Sequence, residues 1–276
     1  MDGEPLSLTC SPAEAVFLAG LLGADALVGL TDPFAGWLTA EIEKAWETAR
    51  AALVARQFIA VEADGAITMD IGVATLMSVW VLAEASLLLT CTGQHGSAVT
   101  CNYHLTAAMA VEQRVSSDGA VHVAALPAVT ALFPRLVEQM RLNGQLAAPG
   151  MRAVLTAEAL ANVRQLAVQE GAAAAGTALR RYRVPEALVR PLADALAAPV
   201  VSGALAVLAR RQAVWDVAGM GILEGPAGLW RLRSFVGEGE QRVELIPCSA
   251  AEARRELLRL INRVSPVTMT DTESEA

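Results

Sequence analysis

Two cysteines and two histidines lie close together in the chain, and they are the residues best suited to hold a metal ion. Cys91 and His95 lie on one side of a predicted hairpin loop, and Cys101 and His104 lie on the other. Two thiolates and two imidazoles can form a tetrahedral zinc site. Because side chains alternate along a strand, however, Cys101 and His104 should point to opposite faces of the sheet. We therefore expect a small apolar cysteine in each strand and a solvent-exposed loop histidine, with no metal bound.

The other reactive residues form no recognisable catalytic pattern. His122 lies in a predicted strand with no acid opposite it, and the chain has no G-x-S-x-G nucleophile elbow, P-loop or dinucleotide fingerprint. Gly219-Met220-Gly221 lies within a predicted strand, where a bulge is a simpler explanation than a phosphate-binding loop. Glu41 and Glu43 begin a predicted helix, where they stabilise the helix dipole. We predict a non-enzymatic protein without a cofactor.

The acidic composition argues against nucleic acid as a partner. The chain carries 21 Lys and Arg against 29 Asp and Glu, which gives a formal net charge of −8. Binding to nucleic acid requires a basic surface that neutralises phosphates. The basic clusters of this chain are short, namely Arg180-Arg181 with Arg183, Arg210-Arg211 and Arg254-Arg255.

The hydrophobic content and the cysteine usage predict a folded cytoplasmic protein. Hydrophobic residues make up 54% of the chain and charged residues 18%, so the chain can bury a sizeable core. Its many Ala and Leu residues favour helix over strand. The four cysteines are widely scattered, and Asp2 and Glu4 stand where a secretory signal would carry basic residues. Reduced thiols in a cytoplasm are therefore expected.

One apolar stretch approaches the length of a membrane span. Ile71–Thr92 has 22 residues and one charge, Glu84, and a span needs about 20 apolar residues. A charge within a span costs about 2.5–3.5 kcal/mol, and neither end is flanked by Lys or Arg. The pattern also changes from helix (Ile71–Leu82) to strand (Ser86–Thr92). We predict a helix followed by a strand, with no membrane contact.

The N-terminal region predicts two helices followed by a β-hairpin. Ser11-Pro12-Ala13-Glu14 forms a capping box, Thr39 opens a second helix, and Asp64-Gly65 is typical of a hairpin turn. This order is winged-helix-like, which suggests DNA binding. The charges of the second helix cancel, however, and three glutamates near its start would repel phosphate. We interpret the unit as a packing scaffold and keep a winged-helix regulator with a ligand-sensing C-terminal region as the alternative.

The chain as a whole predicts an α+β fold with two pseudo-symmetric halves. Residues 1–142 and residues 151–264 each contain helices, then a meander of strands, then one closing helix. Residues 143–150 predict a linker, and residues 265–276 predict a disordered acidic tail. Because three or four strands alone make a narrow sheet, the halves should share one central antiparallel sheet. The predicted strands are Leu87–Thr92, Ala98–Leu105, Met109–Val115, Val121–Leu126, Ala204–Ala209, Ala213–Leu223, Gly228–Phe235 and Gln241–Ile246.

The layout resembles a known family. The opening Ser11-Pro12-Ala13-Glu14, the run Leu53-x-Ala55-Arg56-x-Phe58-Ile59, the Asp64-Gly65 hairpin and the later Val121-His122-Val123 before a helix are similar to EspG-type chaperones of ESX (type VII) secretion. The resemblance covers roughly residues 8 to 264. It implies an α+β fold around a pseudo-two-fold antiparallel sheet. It also implies a cytosolic, non-catalytic protein that binds secretion substrates, helical proteins among them, and keeps them soluble.

The most attractive partner-binding residues lie on two strands of the second half. Trp and Met are enriched at protein interfaces, and the edges or open face of an antiparallel sheet can accept a partner. The glycines between these strands would allow close approach of a partner backbone. The predicted contact residues are Met220, Ile222, Leu223, Leu229 and Trp230.

Overall fold

A computed structural model of the protein describes residues 5–93, 98–142, 151–211, 214–237, 239–265 and 269. The predicted loop at residues 94–96, which includes His95, and the predicted linker at residues 143–150 lie outside these ranges. So does the predicted tail apart from Ser265 and Met269. These predictions therefore stay predictions, as does the division into halves at these boundaries.

The first half contains the predicted helices, hairpin and strands. Ser11 caps the first helix, and its side chain accepts a hydrogen bond from the backbone N–H of Glu14, as the capping box predicts. The elements in chain order are β1 (Ser7–Cys10), α1 (Pro12–Leu21), α2 (Thr39–Ala55), β2 (Ile59–Val61), β3 (Ile67–Met69), α3 (Ile71–Val81), β4 (Ala85–Gly93), β5 (Ala98–Leu105), β6 (Ala110–Val115), β7 (Val121–Ala125) and α4 (Leu132–Gln139).

The second half also follows the predicted order, again with a capping box, at Ser249, before its last helix. Its elements are β8 (Ala153–Thr156), α5 (Ala157–Glu170), α6 (Ala172–Arg181), α7 (Glu186–Ala197), β9 (Val201–Arg211), β10 (Val214–Gly225), β11 (Gly228–Gly237), β12 (Glu240–Cys248) and α8 (Ala250–Val264). The short strands β1 and β8 were not predicted. Each has four residues, which is too few for alternation to distinguish a strand from a loop.

One ten-stranded antiparallel sheet joins the two halves, and the predicted α+β fold is confirmed. The strand order is β1-β7-β6-β5-β4-β9-β10-β11-β12-β8. The junction is the pair β4–β9, which runs from Ala85 opposite Ala209 to Gly93 opposite Val201. Outward from this pair the strands follow in the corresponding order on both sides, with β1 and β8 at the edges. Whether the halves superpose about a two-fold axis stays a prediction.

Helices α4 and α8 cover the middle of one face of the sheet, which we call the α4/α8 face. Leu136 of α4 and Leu257 of α8 are fully buried there against Leu87 of β4 and Val207 of β9. The two closing helices therefore lie on the same face, as predicted. Because they span the β4–β9 junction, they bury residues from both halves in one core.

The opposite face, which we call the groove face, carries two separate helical layers. Helices α1, α2 and α3 pack over β1, β6 and β7, with Leu18, Leu53 and Trp80 in their core. Helices α5, α6 and α7 pack over the other end of the sheet, with Leu188 and Trp230 in theirs. Between these layers, none of the helices that the structure describes lies over the central strands. None of the described helices is both long enough and apolar enough to cross a bilayer.

Candidate functional site

The uncovered middle of the groove face forms an open groove of about 580 Å³. Strands β4, β9 and β10 form its floor, on which Thr90, Ala204 and Gly219 are exposed. Helix α5 bounds one side and presents Ala161 and Arg164. The groove exists because the two helical layers are attached to opposite ends of the sheet.

The floor of the groove is flat because its side chains are small. An added Cβ at Gly219 would lie 2.7 Å from the carbonyl oxygen of Leu205, and one at Gly221 would lie 3.0 Å from the Cβ of Leu232. Real Cβ atoms do not approach a backbone oxygen so closely, so Gly219 can be only glycine unless the strands shift. The other small residues of the groove are Thr90, Thr92, Ala157, Ala161, Ser202, Gly203, Ala204, Ala206 and Ser234.

The lining of the groove is mostly apolar and carries one charge. None of the described residues that line it is Asp, Glu, His, Cys or Lys, and its one charged residue is Arg164. A hydroxyl nucleophile needs an adjacent base, and proton transfer needs a titratable group within reach of the substrate. The lining therefore offers apolar contact area, a few hydroxyl groups and one positive charge.

The five predicted contact residues have buried side chains in the structure. Met220, Ile222 and Leu229 pack into the core under α4 and α8, whereas Leu223 and Trp230 pack under α5–α7, and none is more than 5% exposed. At this end of β10 and β11 both faces of the sheet are covered, so alternate side chains are buried on either side. Met220, Ile222 and Leu223 still line the groove with the little surface that they expose, so their contact with a partner stays a prediction, whereas Leu229 and Trp230 do not line it.

The exposed apolar residues lie instead at the far ends of the same strands. Val214, Trp215 and Val217 of β10 and Phe235 and Val236 of β11 are all exposed. Their residue types indicate strand in the sequence but say nothing of exposure. No sequence signal separates them from the buried set, since exposure depends on where the helices end.

The predicted opposition of Cys101 and His104 is confirmed. Cys101 is buried in the core of the α4/α8 face with Cys91, while His104 lies against Trp80 on the groove face. No group of three or more metal-binding side chains occurs among the residues that the structure describes. Burial raises the pKa of the Cys91 thiol to about 11 and that of Cys10 to about 12, so these thiols are protonated at neutral pH.

Ser86 and His104 form a buried polar pair that the sequence did not suggest. Ser86 Oγ lies 3.0 Å from His104 Nδ1, and the imidazole stacks on the Trp80 ring with 5.4 Å between centroids. Both residues are fully buried, and the pair lies outside the groove. Since no substrate can reach it, this serine–histidine pair is structural and not a nucleophile with its base.

Comparison with known proteins identifies the fold. No protein-family model matches the chain, and no curated protein matches it. Among solved structures, the chain is similar to the structure of the Mycobacterium tuberculosis type VII secretion system chaperone EspG5 in complex with the PE25–PPE41 dimer. The TM-score is 0.62 and the identity is 14%, and the similarity covers 94% of this chain and 97% of that chain. The chain therefore shares the EspG fold, as the resemblance in layout implied.

Proposed function

We propose that this protein is a non-enzymatic chaperone or adaptor that binds another protein in the groove. The observation that carries the proposal is an open, charge-poor groove between two helical layers on one face of the sheet, opposite the face that α4 and α8 cover. Antiparallel sheets can leave one face to solvent, but large continuous apolar surfaces on soluble proteins usually mark interaction sites. The shared fold with a chaperone that was solved in complex with a protein dimer supports the same function.

The chemistry of the groove favours an apolar partner surface. A flat floor of small residues lets a helix, about 10 Å across with its side chains, approach the strands closely. Helix-in-groove binding uses the apolar face of such a helix. The partner that fits best is therefore a helical protein that would expose this apolar face when alone, such as a substrate awaiting secretion. In the cell we place this function in the cytoplasm.

The alternative of a winged-helix regulator gains no support from the geometry. Helix α2 does precede the hairpin β2–β3, but its exposed surface carries acids beside its bases. A helix that lies along phosphates should present a basic surface. The exposed charged residues of α2 are Glu41, Glu43, Lys44, Glu47 and Arg50.

The test is partner capture from the native host with a variant that fills the groove. Ala161 is exposed on the side of α5 that lines the groove, so Ala161→Arg places a long charged side chain in the binding site at little cost to the helix. The matched control is Val168→Arg on the same helix, since Val168 is exposed and does not line the groove. Captured proteins are identified by mass spectrometry, and thermal melting is measured for each variant.

We expect wild type and Val168→Arg to capture the same protein and Ala161→Arg to lose it with an unchanged melting temperature. Equal capture by all three chains would show that the groove is not the binding site. Absence of any reproducible partner for wild type would contradict the chaperone function itself.

A further inference from the structure

Strands β10 and β11 pair over only part of their length. Their register runs from Gly221 opposite Leu232 to Gly225 opposite Gly228. Beyond it, β10 continues to Val214 paired only with β9, and β11 continues to Gly237 paired only with β12, among the residues that the structure describes. The hairpins β9–β10 and β11–β12 therefore diverge. We call the gap between residues 214–220 and 233–237 the cleft.

On both sides of the cleft, backbone groups point towards a position that no described strand occupies. In an antiparallel sheet, the N–H and C=O groups of successive residues point alternately to the two neighbouring strands. The N–H of Arg210 donates to the carbonyl of Glu84 on the β4 side. The alternation continues from this bond along β9, and the register carries it over to β10. The backbone groups of Trp215, Val217 and Gly219 therefore point into the cleft from β10. Those of Ser234 and Val236 point into it from β11.

The side chains around the cleft are apolar and exposed, in contrast to the protected edges of most sheets. Val217 is 62% exposed and Val236 is 79% exposed, and Trp215 and Phe235 are also exposed. Natural edge strands are usually shielded by charged side chains, proline or covering segments. Within the part of the chain that the structure describes, no further strand pairs with this stretch of β10, and a strand whose backbone groups lack a partner strand is a template for another.

The charges beside the cleft favour an acidic ligand although the whole chain is acidic. Arg233 is exposed on β11, which flanks the cleft, and Arg210 is exposed on β9, opposite Trp215 of β10. Of the nearby acids, Asp216 already accepts a hydrogen bond from Arg263 at 3.1 Å, and Glu244 accepts one from Arg152 at 2.7 Å. A carboxylate of the segment could therefore pair with Arg233, because the neighbouring acids Asp216 and Glu244 already bind other arginines.

We propose that the free edge of β10 in the cleft binds an extended segment of the partner protein by strand addition. The segment is apolar at alternate positions and carries an acidic residue for Arg233. This inference rests on the proposed function, since it assumes that the partner is a protein. The cleft opens directly into the groove, because Gly219 and Ser234 line both. The partner is then held in two ways: its apolar face lies in the groove, and its extended segment continues the sheet.

The experiment uses random twelve-residue peptides displayed on phage and selected against the full chain. Selected sequences are synthesised, and their affinities are measured by fluorescence polarisation. We expect apolar residues with a period of two and at least one acid. Selection of no peptide, or of apolar residues at helical spacing, would overturn the proposal.

Two changes to the backbone test whether binding occurs by strand pairing. Val217→Pro removes a donor that points into the cleft and leaves the bonds to β9, because proline is tolerated where its missing N–H faces away from the ladder. The control Val217→Thr keeps the donor. N-methylation of alternate peptide residues removes donors from the ligand and leaves the protein as wild type. This second test shows whether binding occurs by strand pairing even if Val217→Pro does not fold. Each loss of one hydrogen bond should weaken binding by roughly five- to tenfold.

The outcomes separate this inference from the proposed function. If Val217→Pro and N-methylated peptides bind as tightly as their controls, the cleft does not add a strand, whether or not Ala161→Arg abolishes partner capture. If the free chain is a dimer by light scattering and Val217→Pro makes it a monomer, the edge binds a second copy, and the proposal of a partner segment is wrong.

Discussion

Ser86 and His104 lie directly opposite each other in the β4–β5 register, with 3.0 Å between Ser86 Oγ and His104 Nδ1. The pair is buried beneath α3, where Trp80 covers the imidazole. His104 Nε2 has no hydrogen-bond partner among the described residues, so a second proton on this ring would be a buried charge without compensation. The arrangement therefore requires a neutral histidine.

The free energy of unfolding should fall with acidification because of His104. Burial lowers the pKa of His104 from 6.5 to about 3. Between these values the unfolded chain binds a proton that the folded chain does not, so stability is highest above pH 6.5 and is lost as the pH falls towards 3. The slope from this one group approaches about 1.4 kcal/mol per pH unit. Urea unfolding at several pH values between about 7.5 and about 4.5 measures how the free energy of unfolding changes with pH.

The control for this prediction is the exposed His122. His104→Gln should flatten the pH dependence relative to wild type, whereas His122→Gln should keep it, because only His104 is fully buried. All carboxylates are kept in the three proteins, so the difference between wild type and His104→Gln reports on His104. Parallel curves for all three chains would contradict the prediction.

Two tryptophans on neighbouring strands should differ sharply when each is replaced by alanine. Trp230 is fully buried under α5–α7, whereas Trp215 is 38% exposed beside the cleft. Trp230→Ala should lower the free energy of unfolding by about 3–5 kcal/mol, as is usual for large core truncations. Trp215→Ala should lower the free energy of unfolding by clearly less. Chemical denaturation checks both, and equal losses would mean that Trp215 belongs to a core.

The flat floor of the groove should depend on Gly219. An alanine there places its Cβ 2.7 Å from the Leu205 carbonyl oxygen, so β9 and β10 must move apart, at a cost of roughly 1–3 kcal/mol. The control is Gly20→Ala in α1, where an added Cβ meets nothing within 4 Å and should stabilise the helix by about 0.5–1 kcal/mol. Thermal melting should therefore shift in opposite directions. A shift in the same direction would argue against the close strand approach.

The cysteines should resist alkylation in the native protein. All four are buried and unpaired, and burial raises the thiol pKa of Cys91 and of Cys248 to about 11. The thiolate is the reactive form, so iodoacetamide at neutral pH should modify the native chain far more slowly than the chain in urea. Intact mass spectrometry counts the modified sites. Rapid labelling of one native cysteine would reveal local opening of its strand.

The candidate site shows which properties of a strand its residue pattern predicts and which it does not. The residue types on β10 and β11 correctly indicated strands, but the side chains of the predicted contacts, Met220 and Trp230 among them, lie in the core. A pattern of apolar residues specifies a strand and its two faces. It does not specify which helices, from distant parts of the chain, will cover those faces. Val217 is exposed and Leu223 is buried because helices cover Leu223 and not Val217.

By itself, the sequence determined the features that depend on near neighbours along the chain. The capping boxes at Ser11 and Ser249 began helices because the capping groups lie three residues apart. The Asp64-Gly65 turn joined β2 to β3 because Gly65 adopts a positive φ of 88°, as the last residue of a three-residue hairpin loop needs. Strand alternation alone also separated Cys101 from His104. Each of these features depends on interactions among a few consecutive residues. These local interactions do not require the rest of the fold.

Only the tertiary structure decided the edge strands, the groove and the cleft. Cys10 becomes part of an edge strand because it pairs with Val121, and Ala85 joins the halves because it pairs with Ala209. The cleft arises where β10 stops pairing with β11 beyond Gly221. Such contacts are selected by the total burial of apolar surface and by the closure of long loops. These are properties of the whole folded chain, so no local stretch of sequence contains them.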